Sequence, residues 1–447
     1  MERGTLNVEK YLAWSEDIFQ GPHGGAFINN NPGASMTGAI PLLLLRPLLL
    51  RVDSWNQSLP LHRPTQNDGD LFWRALAEGR GLYFLLLGFI TVATVMAPLT
   101  AATYAFLCVR LRESGVSRVA AAAVSVLCGV ATPVLFRSGH LNHNLLVCDA
   151  GFLCLLVLWQ PNGAPLSRRR AATAGALAGY CLLCDFSGAV VLLVAGLYVW
   201  MLSRRCSFLG AYAGGALPFI LGLAVYQTWA FGSPYHPSQH YMPATAPTTH
   251  GYRGFDWPSA RLLWANFFDP RFGLFAYCPL LLLGIAAPFV QRRCRVPRRE
   301  MLVIVNYVGW FVTFCAANQY SWLQPSTGLR YLVPVVPVLG ILAAQTAQAF
   351  TRWLRLVVGI LALTQSVAIS WAHSSDIRLA APTIWHRRFQ LPWMIRLTEA
   401  GVPTSWWWPL AWGIALTAIL GLIWLSPLVW ASIRAGALSW HQRKAIA

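Results

Sequence analysis

The chain has 447 residues, 56% of them hydrophobic and only 11% charged. Soluble domains carry about 25% charged residues, so this composition excludes an ordinary soluble domain and points to an integral membrane protein. The formal charge of +18 does not argue for nucleic acid, because the arginines fall in short clusters between apolar runs and no nucleic-acid motif accompanies them.

The chain opens with a polar stretch, residues 1–81. "VEKYLAWSED" (8–17) carries Glu9, Glu16 and Asp17 and reads as a short surface helix. "NNNPGAS" (29–35) is a cluster of turn formers. It leads into the apolar run 36–50, which is interrupted by Pro41, Arg46 and Pro47. A spanning helix needs about 20 apolar residues. The run is too short, and the spacing predicts a juxtamembrane or re-entrant helix.

Longer apolar runs follow at 82–108, 119–136, 143–160, 208–230, 273–291, 300–318, 329–350, 355–373 and 406–430. Residues 171–203 are too long for one span and are broken by Asp185-Phe186-Ser187-Gly188, so two short spans meeting in a turn are predicted. The expected architecture is all-α: a polytopic transmembrane helix bundle of about 11 spans, with juxtamembrane helices on its outer face. Three parts are expected: an outer-face first loop (1–81), the bundle (82–433) and a tail (434–447).

Arginines set the orientation. Arg110, Arg112 and Arg118 share one loop, Arg168 to Arg170 the next, then Arg204 and Arg205, the group Arg292 to Arg299, Arg352 and Arg355, and the tail. All fall on one side if each run crosses once, and the positive-inside rule makes that side cytoplasmic. The loops 1–81, 232–272, 319–328 and 374–405 fall on the other. A full crossing by 36–50 would invert every later cluster. With the first loop outside, either the short N-terminal tail is translocated unaided or, as the favoured expectation, a further apolar helix precedes Met1. The cysteines lie mostly inside apolar runs, so no disulfide framework is implied. Cys181-x-x-Cys184 reads as buried small hydrophobes.

Six segments, in order, resemble the GT-C superfamily of membrane glycosyltransferases, which includes protein O-mannosyltransferases and lipid A aminoarabinose transferases. They are "VEKYLAWSED" (8–17), "NNNPGAS" (29–35), "ATPVLFRSGHLNHNLLVCDAGFLCLLVLW" (131–159), "YQTWAFGSPYHPSQHY" (226–241), "FFDPRFGLFAYCPLLL" (267–282) and "STGLRYLVPVVPVL" (326–339). The resemblance implies a polyprenyl-phosphate sugar donor, transfer on the periplasmic face of a bacterial inner membrane, inversion at the anomeric carbon, and a lipid, glycan or protein acceptor. Where the family usually has an acidic pair, this chain has Val8-Glu9.

Such transfer needs a carboxylate to take the acceptor's proton and donors to hold the departing phosphate. Glu9 fits the first role by the resemblance. Glu16 and Asp17 are alternatives about two helical turns on, and all three also read as solvated surface acids. Arg330, in Gly328-Leu329-Arg330-Tyr331, and Arg271, in Asp269-Pro270-Arg271, stand at outer ends of runs. Guanidinium offers a planar fork to phosphate oxygens. Arg330 could equally snorkel to lipid headgroups, and Arg271 could pair with Asp269. Arg137, His140 and His143 crowd one outer turn, and Asn31, with Tyr331, joins the candidates for substrate binding. His140-x-x-His143 supplies two metal ligands without a third, so no cofactor is named. Asp149 and Asp185 are the acids nearest the membrane interior; a polar neighbour is expected for the first and a turn cap for the second. Tyr235, His236, His240, Tyr241, Tyr252 and Trp257 read as an interface belt. Two further functions remain open: a transporter or flippase for a lipid-linked substrate, and a non-catalytic relative serving as an assembly partner.

Overall fold

Helices dominate the computed structural model, which describes residues 5–15, 17–58, 74–75, 77–161, 163–289, 296–326 and 328–373. Glu16, the run 406–430, the outer loop 374–405 and the tail 434–447 lie outside the described residues.

The first loop is not all helix. A 3-10 helix, Glu9–Trp14, precedes strands β1 (Ile18–Gln20) and β2 (Ala26–Ile28), which pair antiparallel with Phe19 opposite Phe27. Those phenylalanines pack on Phe231, anchoring the hairpin to the bundle. Helices α1 (Gly33–Leu44) and α2 (Arg46–Ser58) follow with an 80° bend between them. The bend falls where Pro41 and Pro47 remove amide donors from the helical ladder. Together the two helices line an apolar groove with Tyr83 and Leu87, as a broken or re-entrant element would.

Three helices among the described residues are long and apolar enough to cross a membrane: α3 (Gly81–Glu113), which contains a π-turn at Val92–Met96, and also Cys206–Phe231 and Arg298–Ala317. Between the first two lie α4 (Arg118–Val130), the short α5 (Val134–Arg137), α6 (His143–Leu158), α7 (Arg168–Cys184) and α8 (Gly188–Leu202); Cys206–Phe231 is then α9. The break between α7 and α8 falls at Asp185, where the carboxylate accepts from the Ser187 amide at 2.8 Å and forms the expected turn.

Prolines fragment some of the apolar runs. Residues 119–136 divide at Ala131-Thr132-Pro133 into α4 and α5. After α10 (Ala260–Phe268), the run 273–291 becomes α11 (Leu274–Tyr277), a 3-10 turn at Pro279–Leu281 and α12 (Leu282–Ala286). Arg298–Ala317 is α13. The run 329–350 opens with a turn, is 3-10 helical at Val333–Val335 and α-helical only in α14 (Val336–Ala347), so Arg330 sits ahead of the helix. The last described helix is α15 (Arg352–His373).

Arginines gather at one end of the bundle. Arg110, near the end of α3, donates to the Leu156 carbonyl at 3.0 Å, and Arg170, at the start of α7, to that of Val157 at 2.7 Å. Both satisfy orphan carbonyls at the C-terminus of α6, where cations are favoured. Beside them the Tyr198 hydroxyl, near the end of α8, donates to Glu300 at 3.0 Å. The core between the two ends is apolar, with α6 buried almost along its whole length. The acid of that helix, Asp149, accepts from the Thr100 hydroxyl at 2.7 Å and is wholly buried.

Candidate functional site

The opposite end of the bundle collects the ends of α5 and α7, the starts of α6 and α8, and the loop ahead of α14. Five charged or titratable side chains meet there: Asp17, Arg137, His143, Asp185 and Arg330. Each of the other four contributes to the electrostatic environment of His143.

Arg137 closes the short helix α5 and is 3% exposed. Asn142 organises the turn around it. The Asn142 amide donates to the carbonyls of Arg137 at 2.7 Å and His140 at 2.9 Å, and its Oδ1 caps α6 by accepting from the Leu145 amide at 2.8 Å. That same oxygen accepts from Arg137 Nη2 at 3.3 Å. One side chain therefore caps a helix and aims a guanidinium. Burial, and after it the repulsion of the Arg330 charge, pulls Arg137 down to about 9, so it remains cationic at neutral pH.

Arg330 is held by its backbone. The amides of Arg330 and Tyr331 both donate to Gln324 Oε1, at 3.0 and 3.2 Å, and the wholly buried Gln324 donates in turn to Asn266 Oδ1 at 2.9 Å. The guanidinium lies 4.4 Å above the Tyr331 ring, and Nη2 donates to the Tyr331 hydroxyl. Its Nε is buried and has no hydrogen-bond partner among the described residues. Two guanidiniums thus repel each other in a shielded place, which an oxyanion accepting from both would relieve.

His143 is the first residue of α6, and its Nε2 lies 3.4 Å from Asp185 Oδ2; both side chains are 15% exposed. Asp17 reaches the cluster from the hairpin. The Asn29 amide donates to its Oδ1 at 2.9 Å. The loop after α9 fixes Asn29 in turn, for Ser238 and Gln239 donate to the Asn29 carbonyl.

The remaining sequence candidates fall elsewhere. Glu9 begins the 3-10 helix, is exposed, and is tied to the cluster by no interaction among the described residues. Asn31 has a packing role: its amide donates to the Leu182 carbonyl at 2.8 Å, locking α1 to α7. His140 is exposed on the turn. Arg271 forms a two-pronged pair with Asp269, at 3.0 and 2.9 Å, with its side chain 59% exposed. That local pairing takes the guanidinium away from the clamp. Arg271→Ala is expected to change activity by no more than about twofold in a transfer assay, as for other exposed pairs. Tyr235 and Trp257 are exposed. Among the described residues no group of three His, Cys, Asp or Glu side chains gathers as metal ligands.

No family model, curated protein or solved structure matches the chain.

Proposed function

We propose that the chain is an inverting glycosyltransferase of the GT-C type, embedded in a bacterial inner membrane with about 11 spans. It moves a sugar from a polyprenyl-phosphate donor to a lipid, glycan or protein acceptor on the periplasmic side. The observation that carries this reading is the approach of the buried Arg137 to the half-buried Arg330, set beside Asp17 and the His143–Asp185 pair at the end of the bundle away from the arginine-rich loops.

Each requirement of the reaction has a group there. The two guanidiniums supply donors and positive charge for a departing phosphate. Two bases stand nearby for the acceptor's proton: Asp17 from the first loop, and His143 backed by Asp185. By the positive-inside rule the arginine clusters at the far end face the cytoplasm, which puts this end outside. A lipid-phosphate headgroup lies at the depth of helix ends, where Arg137 and Arg330 sit. The bent α1–α2 element rests at the membrane surface without crossing.

The test is transfer of label from synthetic polyprenyl-phosphate sugars, by the protein reconstituted in liposomes with membrane extract as acceptor source. Transfer by the wild type, lost in the Arg137→Ala/Arg330→Ala double variant, is the expected result. Movement of the labelled lipid between leaflets without transfer would instead make the protein a flippase. Binding of donor without either would make it a non-catalytic relative.

A further inference from the structure

We propose that His143, held by Asp185, is the base that takes the acceptor's proton; this rests on the transfer reaction proposed above. The sequence resemblance directs attention to first-loop acids, and nothing in it singles out an imidazole–carboxylate pair. The geometry does. His143 Nε2 faces Asp185 Oδ2 at 3.4 Å. With the Nε2 proton held toward that carboxylate, Nδ1 is left with the lone pair that a base requires. A separation slightly long for a hydrogen bond is common before substrate binds and shortens in the reacting complex.

Asp185 is positioned for this work by the fold. Its Oδ1 accepts from the Ser187 amide at 2.8 Å, which fixes the side chain across the α7–α8 turn and leaves Oδ2 for the imidazole. Asp17, the competing base, is an exposed residue, and its Oδ1 already accepts from Asn29. The dyad is more shielded from water, where a charged intermediate is better discriminated by its neighbours.

The charges around His143 suit the direction of proton flow. Burial opposes an imidazolium most; Asp185 favours it, Arg330 and Arg137 oppose it, and Asp17 favours it. Donor phosphate seated on the two arginines offsets their repulsion, so the imidazole gains basicity when the donor is in place. In the step itself the acceptor O–H bond breaks and its proton passes to His143 Nδ1. The oxygen's electron pair forms the new bond to the anomeric carbon. The bond from that carbon to the phosphate oxygen breaks, its pair remaining on the phosphate between Arg137 and Arg330. The imidazolium, held by Asp185, then gives its proton to water.

The experiment compares wild type, His143→Gln, Asp185→Asn and Asp17→Asn in reconstituted liposomes, with a labelled polyprenyl-phosphate sugar. Transfer is followed between about pH 3 and 8, because burial draws the His143 imidazole down to about 4, and donor binding and thermal unfolding are followed separately. Wild-type kcat/KM should rise with pH through that value as the imidazole becomes neutral and level off above it. His143→Gln should lower kcat by about 10²–10³-fold and flatten that rise, with donor binding within about threefold of wild type. Asp185→Asn keeps the acceptor for the Ser187 amide, so the turn survives. It should cost about tenfold in kcat and move the rise to lower pH, because the imidazolium loses its counter-ion. A His143→Gln protein with unchanged kcat and an unchanged pH profile overturns the assignment while leaving the transfer reaction intact. So does an Asp17→Asn variant that alone abolishes the rise. Absence of transfer by wild type with every donor overturns the reaction itself and the base with it.

Discussion

Arg330→Ala is expected to lower sugar transfer by about 10²–10³-fold, the usual loss when one preorganised donor to a developing oxyanion is removed. The substitution leaves the loop in place, because Gln324 holds residue 330 through its backbone amide rather than its side chain. Arg330→Lys should recover little of the rate. Lysine restores the charge but lacks the planar fork, and Nε, now buried without a partner, has no counterpart in it. Donor-free stability should fall slightly as well, because Arg330 donates to the Tyr331 hydroxyl, lies over its ring and is attracted by Asp185 and Asp17, so the fold loses more by its removal than Arg137 gains. What marks a ligand site is the response to donor: bound donor should raise the melting temperature of wild type but not of Arg330→Ala. A fall in thermal stability with transfer unchanged would show that Arg330 serves the fold alone. Because both arginines bear on one phosphate, the effects of Arg137→Ala and Arg330→Ala should be strongly non-additive.

The sequence reveals the breaks in this fold better than the meetings. Asp185-Phe186-Ser187-Gly188 announces a turn because three of its four residues, Asp185, Ser187 and Gly188, are unsuited to continuing an apolar helix, and α7 and α8 part there. Pro41 and Pro47 foretell the bend after α1 for the same local reason. The Arg271–Asp269 pair is legible too, being two residues apart. The prolines at 133 and 279 carry the same signal, but within runs whose hydropathy suggests one continuous helix. The cluster itself is not local. Arg137 and Arg330 approach only because α6 is buried among its neighbours and the loop before α14 is pinned by Gln324. Gln324 sits in "SWLQPS", where nothing marks it as structural. Asp17 rather than Glu9 reaches the site because a hairpin with three-residue strands places residue 17 opposite Asn29. Strands that short leave no alternation to read. Asn142, by contrast, had a visible signature: an asparagine immediately before an apolar helical run is a cap.

The largest effect on stability is expected at Gly175, where even alanine should be disruptive. A Cβ there would lie 1.9 Å from the Tyr212 carbonyl oxygen of α9, and a Cβ on Gly215 of α9 would lie 2.0 Å from the Ala172 oxygen of α7. Gly179, one turn on, would meet the Ala216 oxygen at 2.7 Å. The two backbones therefore touch through the Gly175-Ala-Leu-Ala-Gly179 face, a small-residue pattern that permits close approach of helices in a membrane. The obstacle is backbone on both sides, so no rotamer change relieves it and the helices must separate. Separation would forfeit packing along the crossing and strain the 2.7 Å bond from the Tyr212 hydroxyl to the Leu192 carbonyl. Overpacking a core costs about 1–3 kcal/mol where side chains can adjust, and Gly175→Ala should reach or exceed the top of that range. Gly214 is adjacent to Gly215 but exposed, and a Cβ added there would meet no atom of the described residues within 4 Å. Gly214→Ala should therefore be neutral or slightly stabilising through helix propensity. Thermal unfolding of both variants in one detergent checks the contrast, and equal melting temperatures would refute the close crossing. The consequence reaches the site, because α7 ends immediately before Asp185. Spreading α7 from α9 would draw that carboxylate from His143, so Gly175→Ala should lose transfer even at temperatures where it remains folded, whereas Gly214→Ala should keep it.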